Sequence, residues 1–241
     1  MRKRALKFLK ISVTEFPDSL QCLDRTEEFA LYLPPAFREE RLEVLHELIR
    51  AHPLGTLITA GSHGLIANLV PFILIQSCEK QSGEKGTLRA HVSKANDQVG
   101  ALREGAETLV VFHGPETYIT PSWYASKKEH GRVVPTWDYV VVQVRGAPRL
   151  IDDPIWIRAQ IDALTSSQEG KRAVPWKVSD APEKYISGLL NAIIGIEIPI
   201  RAIEGKWKVS QNRPPEDREG VMAGLRSEGI SEEIARLVGE H

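Results

Sequence analysis

Between residues 54 and 144 the chain runs through one β-type segment after another, with a single short helical stretch among them, and that order restricts its fold strongly. Residues 54–60, 64–76, 86–92 and 108–113 are rich in Val, Ile, Leu or Thr and are bounded by Gly, Ser, His or charged residues, which predicts four strands. A fifth is expected over 137–144, where Val140, Val142 and Val144 alternate with Val141, Gln143 and Arg145 and leave one face to bury. Strands in succession favour antiparallel pairing, whereas a parallel sheet needs a helix between each pair. The expected class is therefore α+β, an antiparallel barrel with attached helices.

Helical spacing marks the remainder. Leu42, Leu45, Leu48 and Ile49 recur among Glu and Arg over 38–52, and Pro53 ends that run. A short helix is expected over 96–104 with Asn96 at its start, and longer ones over 153–167 and 182–192. A last strand is predicted over 193–203, broken at Pro199, with 206–210 extended. Two short helices divided by Gly229 should complete the chain from residue 215. No repeat or low-complexity linker divides residues 31–241, which read as one domain. Residues 1–30 carry a basic arm, Arg2, Lys3, Arg4, Lys7 and Lys10, expected to lack fixed structure.

Charge and cysteine content narrow the function. Lys plus Arg total 31 against 32 Asp plus Glu, a formal charge of −1, so no global basic field exists to hold nucleic acid. The two cysteines, Cys22 and Cys78, show no metal-type spacing and fit reduced thiols in a cytoplasmic protein. No apolar run approaches the length of a membrane span. No metal motif, phosphate-binding glycine loop or nucleophile elbow is present.

Two segments carry candidate chemistry. Residues 112–139, FHGPETYITPSWYASKKEHGRVVPTWDY, gather Phe112, Tyr118, Trp123, Tyr124, Trp137 and Tyr139 among prolines and glycines, which suggests rigid aromatic faces presented from loops. Such a layout suits a flat ring ligand, a protein interface or simply a core. In residues 88–103, LRAHVSKANDQVGALR, a strand enters a loop with Ser93, Lys94 and Asn96 before a helix. A hydroxyl, an ammonium and helix-opening amides together can hold an anion, although Ser and Asn in that place also serve as plain caps.

These stretches resemble the PaiB family of negative transcriptional regulators, within the larger group of FMN-binding split β-barrels. The resemblance rests on YLPPAF at 32–37, HVSKAN at 91–96, FHGPETYITPSWY at 112–124, VPTWDY at 134–139 and GKWKVSQNR at 205–213. It implies a six-stranded antiparallel split barrel with peripheral helices and a helical C-terminal tail, a homodimer, and an FMN site near the dimer interface. The FMN contacts it implies fall on Asn68, His91, Ser93, Lys94 and Asn96 in the first half. In the second half they fall on Trp123, Tyr124, Thr136 and Trp137, with Gln211 and Arg213 reaching in from the last block. Ser93, Lys94 and the amides opening the Asn96 helix would take the flavin phosphate. Trp123, Tyr124, Trp137 and Tyr139 would form the dimer contact, and Trp207 would pack on the barrel. Three positions depart from the family pattern: Leu69 stands where a histidine is usual, Lys94 where arginine is, and Asp138 where asparagine is.

The expected function is that of an FMN-binding regulator. Its C-terminal segment is rich in Glu and lacks a basic recognition helix, so any transcriptional effect should act through a protein partner or a metabolite rather than by direct DNA binding. The alternative is a flavin-dependent oxidoreductase of the same barrel group, for which His91 is the best proton donor.

Overall fold

The computed structural model describes residues 31–62, 64–76 and 85–240; the basic arm expected at 1–30 and both thiols, Cys22 and Cys78, lie outside them. The strands are β1 (Arg38–Glu39), β2 (Leu54–Gly61), β3 (Gly64–Pro71), β4 (Ile73–Ile75), β5 (Thr87–Ser93), β6 (Thr108–Ile119), β7 (Thr136–Gly146), β8 (Arg149–Ile151), β9 (Ile193–Pro199) and β10 (Ala202–Lys208). They form a sheet ordered β1-β10-β7-β6-β2-β3 and a second ordered β4-β5-β9-β8, with every pairing antiparallel.

The two sheets are one barrel. β3 continues into β4 across Phe72, β7 into β8 across 147–148, and β9 into β10 across 200–201, so three chain runs leave one sheet and enter the other. With each counted once, β7/β8 pairs with β6, β6 with β2, β2 with β3/β4, β4 with β5, β5 with β9, and β9/β10 with β8 and β7. Six runs thus close a ring, as a six-stranded split barrel requires.

Inward-facing residues fill it: Leu57, Leu88, Val110, Phe112, Val142, Val144, Ile196 and Ile198 are all buried in one continuous core. Phe72, at the bend between β3 and β4, meets Phe112 edge to face at 5.7 Å. That bend corrects the single strand expected over 64–76. Burying Phe72 turns the chain into the second sheet.

Helix α1 (Leu42–Ala51) buries Leu45, Leu48 and Ile49 on the barrel. It begins later than expected, because Arg38 and Glu39 pair with β10 and the Glu39 carboxylate accepts from the Arg41 amide at 2.8 Å. Helix α2 (Gln98–Arg103) follows β5, α3 (Ser126–His130) follows a short 3₁₀ turn at Pro121–Trp123, and α4 (Pro154–Glu169) and α5 (Glu183–Asn191) pack at the second sheet. Helices α6 (Pro215–Ser227) and α7 (Glu232–Glu240) make an αα-hairpin that buries Ile234, Ala235, Leu237 and Val238. Among the described residues no helix is long and apolar enough to cross a membrane.

One expectation about the aromatic segment is corrected. β6 continues to Ile119, so Tyr118 stands on a strand rather than a loop, while Trp137 and Tyr139 lie on β7 as the strand expected over 137–144 places them. The register shifts between His113 and Glu116, and this bulge accommodates Pro115, which has no N–H for the ladder.

Candidate functional site

At the end of β5, Leu88, Ala90 and Val92 face the core, which turns Arg89, His91 and Ser93 outward. The chain then turns into α2, and the loop amides find partners within the protein. Lys94 N–H donates to the Ala192 carbonyl at 2.9 Å, Ala95 N–H to Ser93 Oγ at 3.2 Å, and Asn96 N–H to the Ser93 carbonyl at 3.0 Å. Gln98 N–H donates to Asn96 Oδ1 at 2.9 Å, so Asn96 caps the helix as expected. Of the amides expected to cradle a phosphate, those of Lys94, Ala95, Asn96 and Gln98 are therefore already engaged within the chain. What remains for an anion is the exposed Ser93 and Lys94 side chains. Lys94 Nζ pairs with Asp152 Oδ1 at 2.7 Å, and both side chains stay solvated at 37% and 62% exposure.

Asn68 belongs to the same corner. Its Nδ2 donates to Gln98 Oε1 at 3.0 Å, and Gln98, wholly buried, donates through Nε2 to the Leu57 carbonyl at 3.0 Å and to Thr59 Oγ1 at 3.2 Å. One buried amide thus ties β2, β3 and α2 together, a residue that sequence reasoning passed over. Its only signal was a polar side chain beside Val99 and Leu102 on the inward stripe of a short helix. A cavity of about 130 Å³ next to α2 is lined by Asp97 and Glu104 and by no cation, which makes it unsuited to a phosphate.

His91 lies nearby on β5, opposite Gly195 of β9. A Cβ at Gly195 would come within 2.3 Å of the Trp156 ring, so α4 lies directly over that position. Burial lowers the His91 pKa, which favours the neutral imidazole, and its buried Nδ1 has no hydrogen-bond partner.

The other predicted residues gather at the far end of β6 and β7. Tyr124 is buried under the Arg213 guanidinium, which sits 4.6 Å from its ring centre, and burial pushes the Tyr124 phenol up. Ser126, two residues on, donates from its amide and hydroxyl to Asp217 of α6 at 2.9 and 2.7 Å. Thr136 Oγ1 accepts from Lys208 Nζ at 2.7 Å, and the same ammonium donates to the Trp137 carbonyl.

Asp138 is fully buried. Its Oδ2 accepts from Ser210 Oγ at 2.6 Å, while Oδ1 has only Lys208 Nζ at 3.6 Å. Burial raises the Asp138 pKa, opposed by Ser210 and Lys208. Ser210 itself holds a left-handed φ of 60° to make this bond. Gln211 folds back on its own chain, accepting from Val209 N–H and donating to the Trp207 carbonyl. Gln211 is thus held by its near neighbours and Arg213 by Tyr124, and among the described residues neither contacts the Ser93 loop. Trp207 packs into the core as expected.

The four aromatics expected at a dimer contact are placed differently within one chain. Tyr124 is buried, Trp123 is seated against Gly224 of α6, and Tyr139 lies under Lys206 and Lys208. Of the four, Trp137 alone is widely exposed. The outer face of β2 and β3 instead shows Leu54, Leu65 and Leu69, the last two at 78% and 64% exposure.

The site residues thus form two groups. Gln98 bonds Leu57, whose strand partner on β6 is Val110, whereas Trp137 is opposite Tyr118. Tyr118 follows Val110 by eight positions along β6, a run of at most about 27 Å that the bulge between His113 and Glu116 shortens. The Ser93 corner and the Tyr118–Trp137 pair therefore lie toward opposite ends of β6 within one chain. Among the described residues, no group of three or more His, Cys, Asp or Glu could hold a metal ion.

Comparison with known proteins places this barrel. Residues 31–202 match the family described as "Putative FMN-binding domain". The chain is 36% identical over 244 residues to an uncharacterized protein of Emericella nidulans, covering 87% of this chain and 97% of the relative. It is 24% identical over 198 residues to the protease synthase and sporulation protein PAI 2 of Bacillus subtilis, covering 82% and 90%. In structure it is similar to the FAD and heme binding protein from Mycobacterium smegmatis, with a TM-score of 0.52, 18% identity and coverage of 71% and 73%. A conserved hypothetical protein from Mycobacterium tuberculosis, Rv2991, also gives a TM-score of 0.52, at 12% identity with 77% and 94% covered.

Proposed function

Because the chain belongs to the FMN-binding family matched over residues 31–202, with the PAI 2 protein of Bacillus subtilis as a distant relative, we propose that it is a homodimeric FMN-binding protein with a regulatory role exerted without sequence-specific DNA contact. The observation that carries this reading is that the family match covers the six-run barrel, from β1 to the start of β10.

Flavin binding takes its phosphate on the Ser93 and Lys94 side chains, where an exposed ammonium can exchange Asp152 for a dianion. When bound, the flavin would supply redox chemistry, and this chain would bind and orient it. A dimer fits this reading, since a second copy can bring apolar surface to the exposed Ser93 corner. The dimer face is the outer side of β2 and β3. Leu54, Leu65 and Leu69 form an exposed apolar patch there, and Leu69, in place of the family's usual histidine, adds to it.

The regulatory reading avoids DNA for an electrostatic reason. α6 and α7 are joined by a four-residue turn, but α7 opens with Glu232 and Glu233 and turns its apolar face inward. Its Arg236 pairs with Glu240 at 2.6 Å. A helix with that front repels phosphates.

Titration of the full chain with FMN, followed by flavin fluorescence and light scattering, tests the proposal. Saturable binding to a particle of twice the chain mass is expected. A monomer that leaves FMN free would overturn it, and steady oxidation of a reduced nicotinamide in the presence of FMN would replace the regulator with an oxidoreductase.

A further inference from the structure

Three aromatic rings and two carboxylates line one open cavity at the end of the barrel opposite the Ser93 corner. Tyr118 of β6 and Trp137 of β7 face each other across the ladder, edge to face with centroids 6.0 Å apart, and are 46% and 54% exposed. Trp123 makes the third wall. A Cβ at Gly224 of α6 would lie 2.4 Å from its indole, so the helix backs that ring closely, and its Nε1 donates to Glu228 Oε1 at 3.3 Å. Ile230, in the turn between α6 and α7, completes the rim. The cavity encloses about 430 Å³, a size suited to a small molecule.

Its charge is one-sided. Glu116 and Glu228 are the charged residues of the lining, and among the described residues neither forms an ion pair. Elsewhere in the molecule cations already sit over aromatic faces: Arg89 on Trp156, Lys206 on Tyr32 and Tyr139, Arg213 on Tyr124. Tyr118, Trp123 and Trp137 have no such partner among the described residues. Aromatic faces carry negative quadrupole density, and the two carboxylates deepen the same potential; Lys208, whose ammonium bonds the Trp137 carbonyl, is already engaged by Thr136 and Asp138, so a cation is favoured over an anion. A hard metal ion needs several oxygen ligands, which indole and phenol walls do not supply. A weakly hydrated organic ammonium gains from both the rings and the carboxylates.

We propose that this cavity binds a small organic cation of the quaternary-ammonium class. Trp137 and Tyr118 supply the cation–π faces, Trp123 the wall held by α6, and Glu116 with Glu228 the countercharge. Trp123 and Trp137 are also among the FMN contacts that the resemblance implies; the proposal gives them a different ligand and does not depend on the flavin reading.

The test titrates choline into the full chain, with tryptophan fluorescence and calorimetry as readouts. The control is 3,3-dimethylbutan-1-ol, which has the shape of choline without its charge. Choline is expected to saturate the site and to bind roughly three- to thirtyfold more tightly than the neutral isostere. Glu116→Gln, a change at an exposed position, should weaken choline severalfold and leave the isostere unchanged, and Trp137→Ala should abolish the preference for charge. Equal binding of the two compounds, or no saturable choline binding at millimolar concentration, overturns the proposal. So does displacement of choline by FMN, which would make the aromatic wall part of the flavin site. Conversion of a dimer to a monomer by Trp137→Ala would likewise overturn it by assigning these rings to an interface between copies.

Discussion

Lys94 and Asp152 should move FMN affinity in opposite directions. In the free protein the Lys94 ammonium is held by Asp152 at 2.7 Å, and it must leave that carboxylate to meet a phosphate. Both side chains are solvated, so the pair contributes only about 0.2–1 kcal/mol. A charge-assisted contact to the flavin phosphate contributes about 1.5–3 kcal/mol, and the amides of Lys94, Ala95, Asn96 and Gln98 add little to it because they already have acceptors. The difference is about 1–2 kcal/mol, so Lys94→Ala should weaken FMN by roughly five- to thirtyfold. Asp152→Asn frees the ammonium at the start and should tighten FMN by up to about fivefold. Riboflavin lacks the phosphate and should respond to neither change. Calorimetry of both flavins against the full chain and the two variants, at low and high salt, reads these effects, and the differences should shrink as salt screens them. If FMN and riboflavin bind alike, or if Asp152→Asn weakens FMN, the phosphate does not sit at Lys94 and the loop is only a helix cap.

Asp138→Asn should flatten the pH dependence of stability. Burial raises the folded-state pKa of Asp138, so the native state holds its proton more tightly than the unfolded chain, and stability falls as pH rises from the ordinary carboxylate range through that raised value. Urea unfolding of both proteins across that window should show the slope only with aspartate. Gln98→Leu removes the shared amide of β2, β3 and α2 and leaves buried acceptors unpaired, which should cost about 1–3 kcal/mol and lower the urea midpoint. Gly224→Ala drives a methyl into the Trp123 indole, and an overpacking cost of about 1–3 kcal/mol should show as a lower Tm with shifted tryptophan fluorescence.

Much of the fold is legible without coordinates. The alternation over 137–144 correctly identifies Val140, Val142 and Val144 as the buried face of β7, because a strand's period of two is a local property. The break at Pro199 and the pair of C-terminal helices follow from equally local signals. Strands that mostly follow one another, with few helices between them, are enough to favour antiparallel pairing over a parallel sheet. Asn96 as a cap and Trp207 as a core residue can also be read directly from their neighbours.

What the tertiary structure decides is where side chains with two possible uses are placed. Tyr124 looks like a surface aromatic until Arg213, nearly ninety residues on, lies across its ring. Helix-opening amides look free until Ala192 and Ser93 accept from them. Asp138, on the strand expected over 137–144, becomes a buried carboxylate met by Lys208 of β10 and Ser210 of the turn after it. Periodicity specifies which face of an element is apolar, but hydrogen-bond partners and burial depend on contacts closed over long stretches of chain. The residues that the resemblance gathers into one flavin site therefore stand toward opposite ends of β6 within one folded chain.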